Sequence, residues 1–462
     1  MKTFLISASS ENAKHETHLT NLFKEFYFKE RSYPLGIAYL GAILEKNGCE
    51  VRLFDFFNKP LDEVESEFLE TVKKESPEVV GFSILSMNRT ASFELIKKIK
   101  VQNSKIKIIA GGVHCSVLYE QLLRNFPIDA CCLAEGENVI TPLVNSVNDL
   151  KKLENVPGIA FLNEKKELIV TTPPKQTDLN SVPFPKHEAF LTKKSKVMYM
   201  ITSRGCAGKC IFCSTNSYWR GWRARSAKNV VDEIEYVKLK FPKIEKVFFH
   251  DDTFILDNNR AIEICREIIK RNIKIKWVCP ARVCPISAEM LEWFKKAGCE
   301  QIMFGVESGS DRMLQQMKKY ITRKQIMNAF KLTQEAGIKV GAFLLIGLPT
   351  ESDETIDETI DLLKKMHYAV DSAAILELYP NTEMYRIAKE QGFITDEYWL
   401  TDKKIPLYTY EHPLSKLLQM KLRIIYETIK HKGILYLVIY LFRKAILEPH
   451  LVIKAVISMC HK

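Results

Sequence analysis

What this sequence lacks narrows its class first. No apolar run is long enough to span a bilayer: the longest uninterrupted one, "ILYLVIYLF" at 434–442, is about half the required length. The opening "MKTFLISASS" has too brief an apolar stretch for a secretory signal and reads as a short strand. There is no biased tract and no internal repeat, and 46% hydrophobic with 27% charged residues is the balance of a soluble globular protein. A secreted-type disulfide framework is missing as well. Cys49, Cys115, Cys131 and Cys132 fall in or beside strand-like runs, where free cysteine acts as a small hydrophobe. A cytoplasmic protein whose thiols are reduced or metal-bound is expected.

At 462 residues the chain should hold two or three domains. Residues 1–145 alternate short apolar strands with amphipathic helices: "TFLISA" (3–8), "EVRLFDF" (50–56), "EVVGFSI" (78–84), "IKIIAGG" (106–112) and "DACCLA" (129–134). That alternation predicts an α/β domain, a doubly wound, Rossmann-like parallel sheet covered on both faces. Ligands of such sheets bind at the carboxyl ends of the strands. The loops there, "SILSMN", "GGVHCS" and "EGEN", are small and polar, and Gly111 with Gly112 permits close backbone approach. Residues 146–195 read as a hairpin followed by a connector punctuated by Pro173, Pro174, Pro183 and Pro185. From 196 to 395, six strand–helix units of about 35 residues predict a partial (β/α)6 barrel. Residues 396–462 read as a helical C-terminal appendage.

The loop after the first barrel strand is "SRGCAGKCIFCST" (203–215). Cys206, Cys210 and Cys213 place three soft ligands within eight positions, which favours an iron–sulfur cluster or zinc. A structural zinc site takes four ligands, and no fourth Cys or His lies nearby in the sequence. A cubane cluster held by three cysteines leaves one iron open for chemistry. Of the remaining cysteines, Cys265, Cys279, Cys284, Cys299 and Cys460, only Cys279 and Cys284 are spaced suggestively, and core thiols account for them without an auxiliary cluster.

The triplet, with Phe212 before its last cysteine, resembles the signature of the radical S-adenosylmethionine superfamily. The resemblance implies a 4Fe-4S cluster whose open iron is chelated by S-adenosylmethionine, and reductive cleavage to a 5′-deoxyadenosyl radical. "HDDTF" (250–254) is similar to the family segment near the cofactor's amino group, with Asp251 and Asp252 as acceptors. "FGVESGS" (304–310) resembles the fourth-strand motif, which implies that Glu307 and Ser308 reach the ribose. "GAFLLIGLPTES" (341–352) resembles the segment beside the adenine, and Arg282 stands where relatives place an arginine. Upstream, "YPLGIAYLGAILEKNG" (33–48), "SIL" (83–85), "GGVH" (111–114) and "LAEGE" (133–137) look like the cobalamin-binding domain of one large subclass. That likeness implies that Ser83, Leu85, Gly111, Gly112, His114, Glu135, Gly136 and Glu137 line the corrin and its tail. The Asp-x-His-x-x-Gly motif that supplies a cobalt ligand is missing; "SASSENAKHETHLT" carries only His15 and His18.

The expected activity is methyl transfer from cobalamin to an unactivated carbon, with ring closure or C–C bond formation as the alternative. Methylthiolation of transfer RNA and a non-catalytic sensor fit less well, because the first domain lacks a clear cysteine trio and the cofactor motifs are intact. The expected partners are a small-molecule or lipid substrate and an external electron donor such as a ferredoxin or flavodoxin. Net charge is +11, and from Leu414 onward nine Lys/Arg face two Glu. This apolar, basic end suggests either packing on the barrel or a peripheral contact with the inner face of a membrane through 414–462, rather than nucleic-acid binding.

Overall fold

Two parallel sheets share the chain. The structure, a computed structural model, describes residues 1–13, 32–219, 221–370 and 372–433; His15, His18, Cys460 and the 434–462 part of the appendage lie outside the described residues. The first sheet contains β1 (Lys2–Ser7), β2 (Glu50–Asp55), β3 (Val79–Ser83), β4 (Lys107–Gly111), β5 (Ala130–Cys132), β6 (Ile159–Leu162) and β7 (Leu168–Val170), in the order β2-β1-β3-β4-β5-β6-β7. Alternate residues feed two separate cores. Phe4, Ile6, Val80, Phe82 and Ile108 pack on one side, and Leu5, Val79, Ile109 and Ala130 on the other. This period of two, apolar on both faces, is why the strands are β-branched and the sheet is doubly wound. The order reverses between β1 and β3, which opens a crevice at their carboxyl ends.

The hairpin is part of this sheet. Expected beyond the 1–145 unit as the start of a connector, it instead adds β6 antiparallel to β5 and β7 antiparallel to β6. Cys131 and Cys132 pair with Ala160 and Ile159, so the exposed edge of β5 is covered.

The second sheet is the partial barrel. Its strands β8 (Val197–Met200), β11 (Lys246–Phe249), β12 (Lys276–Ala281), β13 (Cys299–Glu307), β14 (Lys339–Ile346) and β15 (Ala374–Ile375) are parallel and neighbours in that order. Between β8 and β11 runs a short antiparallel ladder, β9 (Ser203–Arg204) with β10 (Arg223–Ala224). Helices cover the outer face, and helix Leu414–Lys432 joins them by burying Leu417, Met420 and Ile424 in the same core. The 396–413 stretch departs from the helical expectation. After a single 3-10 turn, Asp396–Leu400, it runs irregularly and its Leu407 bridges to Glu377.

That irregular stretch ties the barrel back to the first domain. Trp399 is fully buried, donates its indole N–H to the Tyr385 hydroxyl at 2.8 Å and lies under the Arg89 guanidinium, 5.0 Å from its ring centre. Arg89 follows β3 and also donates to the Ser86 carbonyl at 2.9 Å. The crevice itself depends on one glycine. Gly112 has φ +97°, and a Cβ there would stand 2.7 Å from the Ile84 carbonyl oxygen. The loops after β3 and β4 are joined at this point, because the Ile84 N–H donates to Gly111 O and the His114 N–H to Ile84 O.

Gly112→Ala is therefore expected to lower the thermal unfolding midpoint by about 4 °C or more. Gly111→Ala, whose Cβ would only touch Cys132 Cβ at 3.6 Å, should shift it by about 1 °C or less. Scanning fluorimetry of the two variants checks the pair.

Candidate active site

The cysteine loop is closed at its base by backbone. β9 and β10 pair at Ser203–Ala224 and Arg204–Arg223, so the cysteine segment leaves and re-enters the fold at one closed base. Closure requires glycine at its start: Gly205 has φ +88°, and a Cβ there would lie 2.2 Å from the Gly221 carbonyl oxygen. Asp252 then grips both sides of the triplet. Its carboxylate accepts the Gly205 N–H at 2.9 Å and the Thr215 hydroxyl at 2.9 Å. Thr215 Oγ1 lies 3.2 Å from Cys213 Sγ, and the Gly208 N–H points to Cys206 Sγ at 3.3 Å. Between them, Ile211 is anchored by its N–H to Met317 O and by its carbonyl to the Met384 N–H.

Two cations stand beside the thiols. Burial pushes the Cys210 thiol up, while Lys319 and Arg282 act in the opposite direction and favour its thiolate. Arg282 donates to the Lys319 carbonyl at 2.8 Å and lies against Gly208, where a Cβ would come within 2.5 Å of its Nη1. Lys319 is buried and donates to Glu307 at 2.8 Å. Three non-glycine residues at this ion pair are left-handed, Glu307 at φ 65°, Lys318 at 55° and Tyr320 at 53°. Backbone strain of this kind collects where the surroundings hold a side chain in one place.

The expected cofactor residues divide. Asp252 and Glu307 reach the rim, and Arg282 borders the cysteine loop. Asp251 is a correction: it is buried, and its carboxylate is occupied by the Thr202 N–H at 2.7 Å, the Thr202 hydroxyl at 2.6 Å and the Ser203 hydroxyl at 2.5 Å. It braces the strand that enters the loop. Ser308 is also turned inward, with its hydroxyl 3.4 Å from Thr359 Oγ1 and accepting the Ser310 N–H. Phe212 packs half-buried against the core around Trp399 and Leu378. Cys265, Cys279 and Cys299 are buried in the barrel core, and Cys284 is exposed.

On the first domain, the crevice is a cavity of about 470 Å³ lined by Ser83, Leu85, Gly111, Gly112, Glu135, Gly136 and Glu137. His114 does not line it. Its ring is buried edge-on to Trp399 at 5.3 Å, with Nδ1 3.0 Å from the Ser86 hydroxyl. The helix that starts at Val113 turns this side chain away from the crevice. The Glu135 and Glu137 carboxylates bind protein: Glu135 takes Arg204 at 2.9 Å and Arg223 at 2.6 Å, and Glu137 takes Arg204. Arg204, Tyr218 and Trp219, all from the cysteine loop or its base, complete the cavity wall. None of the three was singled out from sequence, although Arg204 directly precedes the loop glycine. Lys319 was missed too.

The residues fit the expected groups. Among the described residues no three His, Cys, Asp or Glu side chains converge as one metal ion requires, whereas a multi-iron cluster takes its thiolates at separate irons. Small and apolar cavity walls from Leu5, Ile37, Gly81 and Ile109 suit a flat heterocycle. No described histidine lines the cavity. A cysteine loop on a half-barrel rim, sharing a wall with the switch-point crevice of a doubly wound sheet, defines a cluster-dependent radical enzyme with a corrinoid domain.

Sequence comparison gives the same class. The Radical SAM superfamily model matches residues 200–363 and the B12 binding domain model residues 27–144, together more than half of the chain. The chain belongs to the radical S-adenosylmethionine superfamily, in the branch with a B12-binding domain ahead of the barrel, and is an enzyme of that class with 4Fe-4S cluster, S-adenosylmethionine and cobalamin as cofactors. It is 27% identical over 391 residues to an uncharacterized methyltransferase of Pyrococcus horikoshii, covering 83% of each chain. It is 27% identical to the anaerobic magnesium-protoporphyrin IX monomethyl ester cyclase of Rubrivivax gelatinosus, over 76% of this chain and 66% of the cyclase. The cobalamin-dependent radical enzyme OxsB, with aqua-cobalamin and S-adenosylmethionine bound, superposes with a TM-score of 0.69 at 20% identity, over 85% of this chain and 62% of OxsB. The chain thus spans under two thirds of that structure. A small-molecule substrate and an external reductant are consistent with this membership. Among the described residues no helix is long and apolar enough to cross a membrane.

Asp252→Ala is expected to weaken retention of the cluster about tenfold, because it frees both ends of the triplet; iron released to a chelator after anaerobic reconstitution measures this. His114 gives a pH test. Burial and the nearby Arg89 cation pull its pKa down to about 3. An unfolded chain protonates this ring below about 6.5, so its contribution to stability is full above that value and declines as pH falls toward about 3. The drop in thermal midpoint from about pH 6.5 to about pH 5 should be smaller in His114→Phe than in the parent protein, as read by calorimetry.

Proposed function

We propose that the chain transfers a methyl group to an unactivated carbon of a small molecule. When bound, the cluster with S-adenosylmethionine supplies a carbon-centred radical for hydrogen abstraction, and cobalamin supplies a methyl group. The observation that carries the reading is the shared wall. Arg204 stands two residues before Cys206, Tyr218 and Trp219 a few residues after Cys213, and all three line the crevice of the first domain. This supports a reading in which both cofactors border one rim, as a reaction needs when one group activates the carbon and the other delivers to it.

In this reading Cys206, Cys210 and Cys213 hold the cluster, and Asp252 keeps the loop in register. Lys319 and Arg282 offset the negative charge of the thiolates. Glu307, fixed by Lys319, presents a carboxylate to the bound nucleoside. Ser83, Leu85, Gly111, Gly112 and Gly136 would hold the corrinoid tail. A peripheral membrane contact through 414–462 would use the face of helix Leu414–Lys432 that keeps Leu414, Leu418, Leu422 and Tyr426 exposed, because the opposite face is spent on the barrel core.

Ring closure is the second reading, favoured by likeness to the cyclase at the same identity as to the methyltransferase. Anaerobic reconstitution with reductant, S-adenosylmethionine and a cell extract as substrate source separates the two. Methyl transfer is expected to yield both 5′-deoxyadenosine and S-adenosylhomocysteine, the latter only with cobalamin. 5′-Deoxyadenosine alone would support ring closure, and no 5′-deoxyadenosine would sink the radical mechanism.

A further inference from the structure

In a parallel half-barrel every strand starts at the same end, and each crossover helix delivers the chain back to that end. β8, β11, β12, β13 and β14 are parallel neighbours, so the residues just ahead of them share one face, opposite the cysteine loop. That face is basic. The five lead-in segments, 193–196, 238–246, 270–276, 295–300 and 335–339, carry fourteen Lys and Arg against three Glu, a net +11 that equals the charge of the whole chain. Hydrogen bonds run from one segment to the next. Lys193 donates to the Lys240 carbonyl at 2.5 Å, Lys238 to the Lys274 carbonyl at 3.1 Å, and Lys295 to the Gly337 carbonyl at 2.5 Å.

Part of this charge is spent inside the protein. Arg271 pairs with Asp232 at 2.8 Å and Lys296 with Glu292 at 2.6 Å. Of the three Glu, Glu300 takes Lys246 and Lys339, Glu335 takes Lys331, and Glu245 acts on Lys238. Lys194, Lys243, Lys274 and Lys276 are exposed and pair with no carboxylate among the described residues. Four unpaired ammonium groups on one face build a positive potential that draws a polyanion. Leu239, in the last turn of helix Ala227–Lys240, is 77% exposed on the same face.

The last stretch of the chain leaves from this end. Helix Asp353–Lys365 returns from the carboxyl end of β14, and helix Leu414–Lys432 packs parallel beside it. Lys416 pairs with Asp353 at 2.7 Å where both begin; Lys364 pairs with Glu427 at 2.7 Å, and the His367 ring stacks 5.6 Å from that of His431, where both end. Helix Leu414–Lys432 therefore finishes, with Lys430, His431 and Lys432, toward the basic end. The sequence beyond Gly433 continues with nine apolar residues, "ILYLVIYLF", and then four Lys/Arg against one Glu.

We infer that the amino end of the half-barrel docks on an anionic lipid surface, with Lys194, Lys243, Lys274 and Lys276 facing the headgroups and Leu239 entering the interface. The inference rests on the peripheral contact proposed above and deepens it: it names the lipid class and places the charged part of the contact on the barrel. A basic face next to apolar side chains is the combination that anionic lipid binds. A nucleic acid would meet the lysines but leave Leu239 and the apolar run in water. The cysteine loop, at the other end of the strands, stays clear of the bilayer.

The test is co-sedimentation of the full chain with vesicles of phosphatidylcholine, with and without phosphatidylglycerol. Binding is expected only with the anionic lipid, and it should weaken as salt is raised. Lys243→Gln, Lys274→Gln and Lys276→Gln should each weaken it about fivefold, and the triple variant about a hundredfold. Leu239→Ser should weaken it about fivefold, while Lys152→Gln on the first domain should leave it unchanged. Equal binding to phosphatidylcholine alone, or binding of transfer RNA but not of vesicles at the same salt, would overturn the inference. Parent-like binding by the triple variant, with loss in Leu422→Asp, would overturn it too and leave the helix face as the contact. Formation of 5′-deoxyadenosine is read separately and should stay at the parent level in every lysine variant. Its absence throughout, with vesicles bound as expected, would count against the proposed reaction and leave the docking surface standing.

Discussion

The active site depends on a buried cluster of ion pairs between domains. Arg204 stands on the strand that launches the cysteine loop, and its guanidinium lies between Glu135 and Glu137 of the loop after β5. Its neighbour across the short ladder, Arg223, takes the same Glu135 at 2.6 Å. Both strands that close the cysteine loop are thereby tied to the rim of the first sheet. Burial alone would lower the Arg204 pKa, but Glu137 and Glu135 outweigh it and hold the charge firmly in place. Such a pair adds little net stability, since desolvation costs several kcal/mol per ion. Its consequence is geometric. A charge taken out of water tolerates few other positions for its partners, so the two rims keep one relative placement.

Further buried polar contacts extend that constraint into the barrel. Asp251 and Asp252 are adjacent, yet one braces Thr202 and Ser203 below the loop while the other holds Gly205 and Thr215 on it. Arg260 donates to the Thr202 carbonyl at 2.7 Å and to the Arg225 carbonyl at 2.8 Å. Arg225 pairs with Glu233 at 2.6 Å, Glu233 with His187 at 2.9 Å, and His187 with the Tyr33 hydroxyl at 2.6 Å. Burial would raise the Glu233 carboxyl, but Arg225 and His187 hold it below the ordinary range. Tyr33 also donates to the Tyr199 carbonyl on β8, an edge strand with groups to satisfy. The cysteine loop is thus held from the first domain on one side and through the linker and barrel on the other.

What could be read from sequence, and what could not, follows the range of the forces involved. Both sheets announce themselves through local patterns, short apolar strands and amphipathic helices. The cysteine triplet is local too, three ligands on one loop. Residue roles at strand ends are not local. Glu307 and Ser308 are neighbours, and a register shift in the β13–β14 ladder after Gly305, with Glu307 left-handed, sends one to the rim and the other inward. Lys319 reaches the cluster side only because Lys318 and Tyr320 adopt left-handed conformations that no side-chain pattern signals. His114 belongs by motif to the crevice but by packing to Trp399, a partner that the fold alone brings near. The glutamates of "LAEGE" were placed on the correct loop. That their carboxylates are neutralised by Arg204 and Arg223 follows from a domain contact and from nothing adjacent in sequence.

The shared wall also limits how the site can vary. Tyr218 and Trp219 extend the cysteine loop and line the crevice at the same time, and the Arg204 guanidinium stacks 5.1 Å from the Trp219 ring centre. A change in loop length that moved the thiolates would move the crevice wall with them. Variation in what the enzyme acts upon therefore has to come from elsewhere. On the inner face of the half-barrel, Met303, Phe343 and His250 hold neither the cysteine loop nor the domain contact. Substitution there alters what lies on the sheet without disturbing Arg204, Asp252 or Glu307.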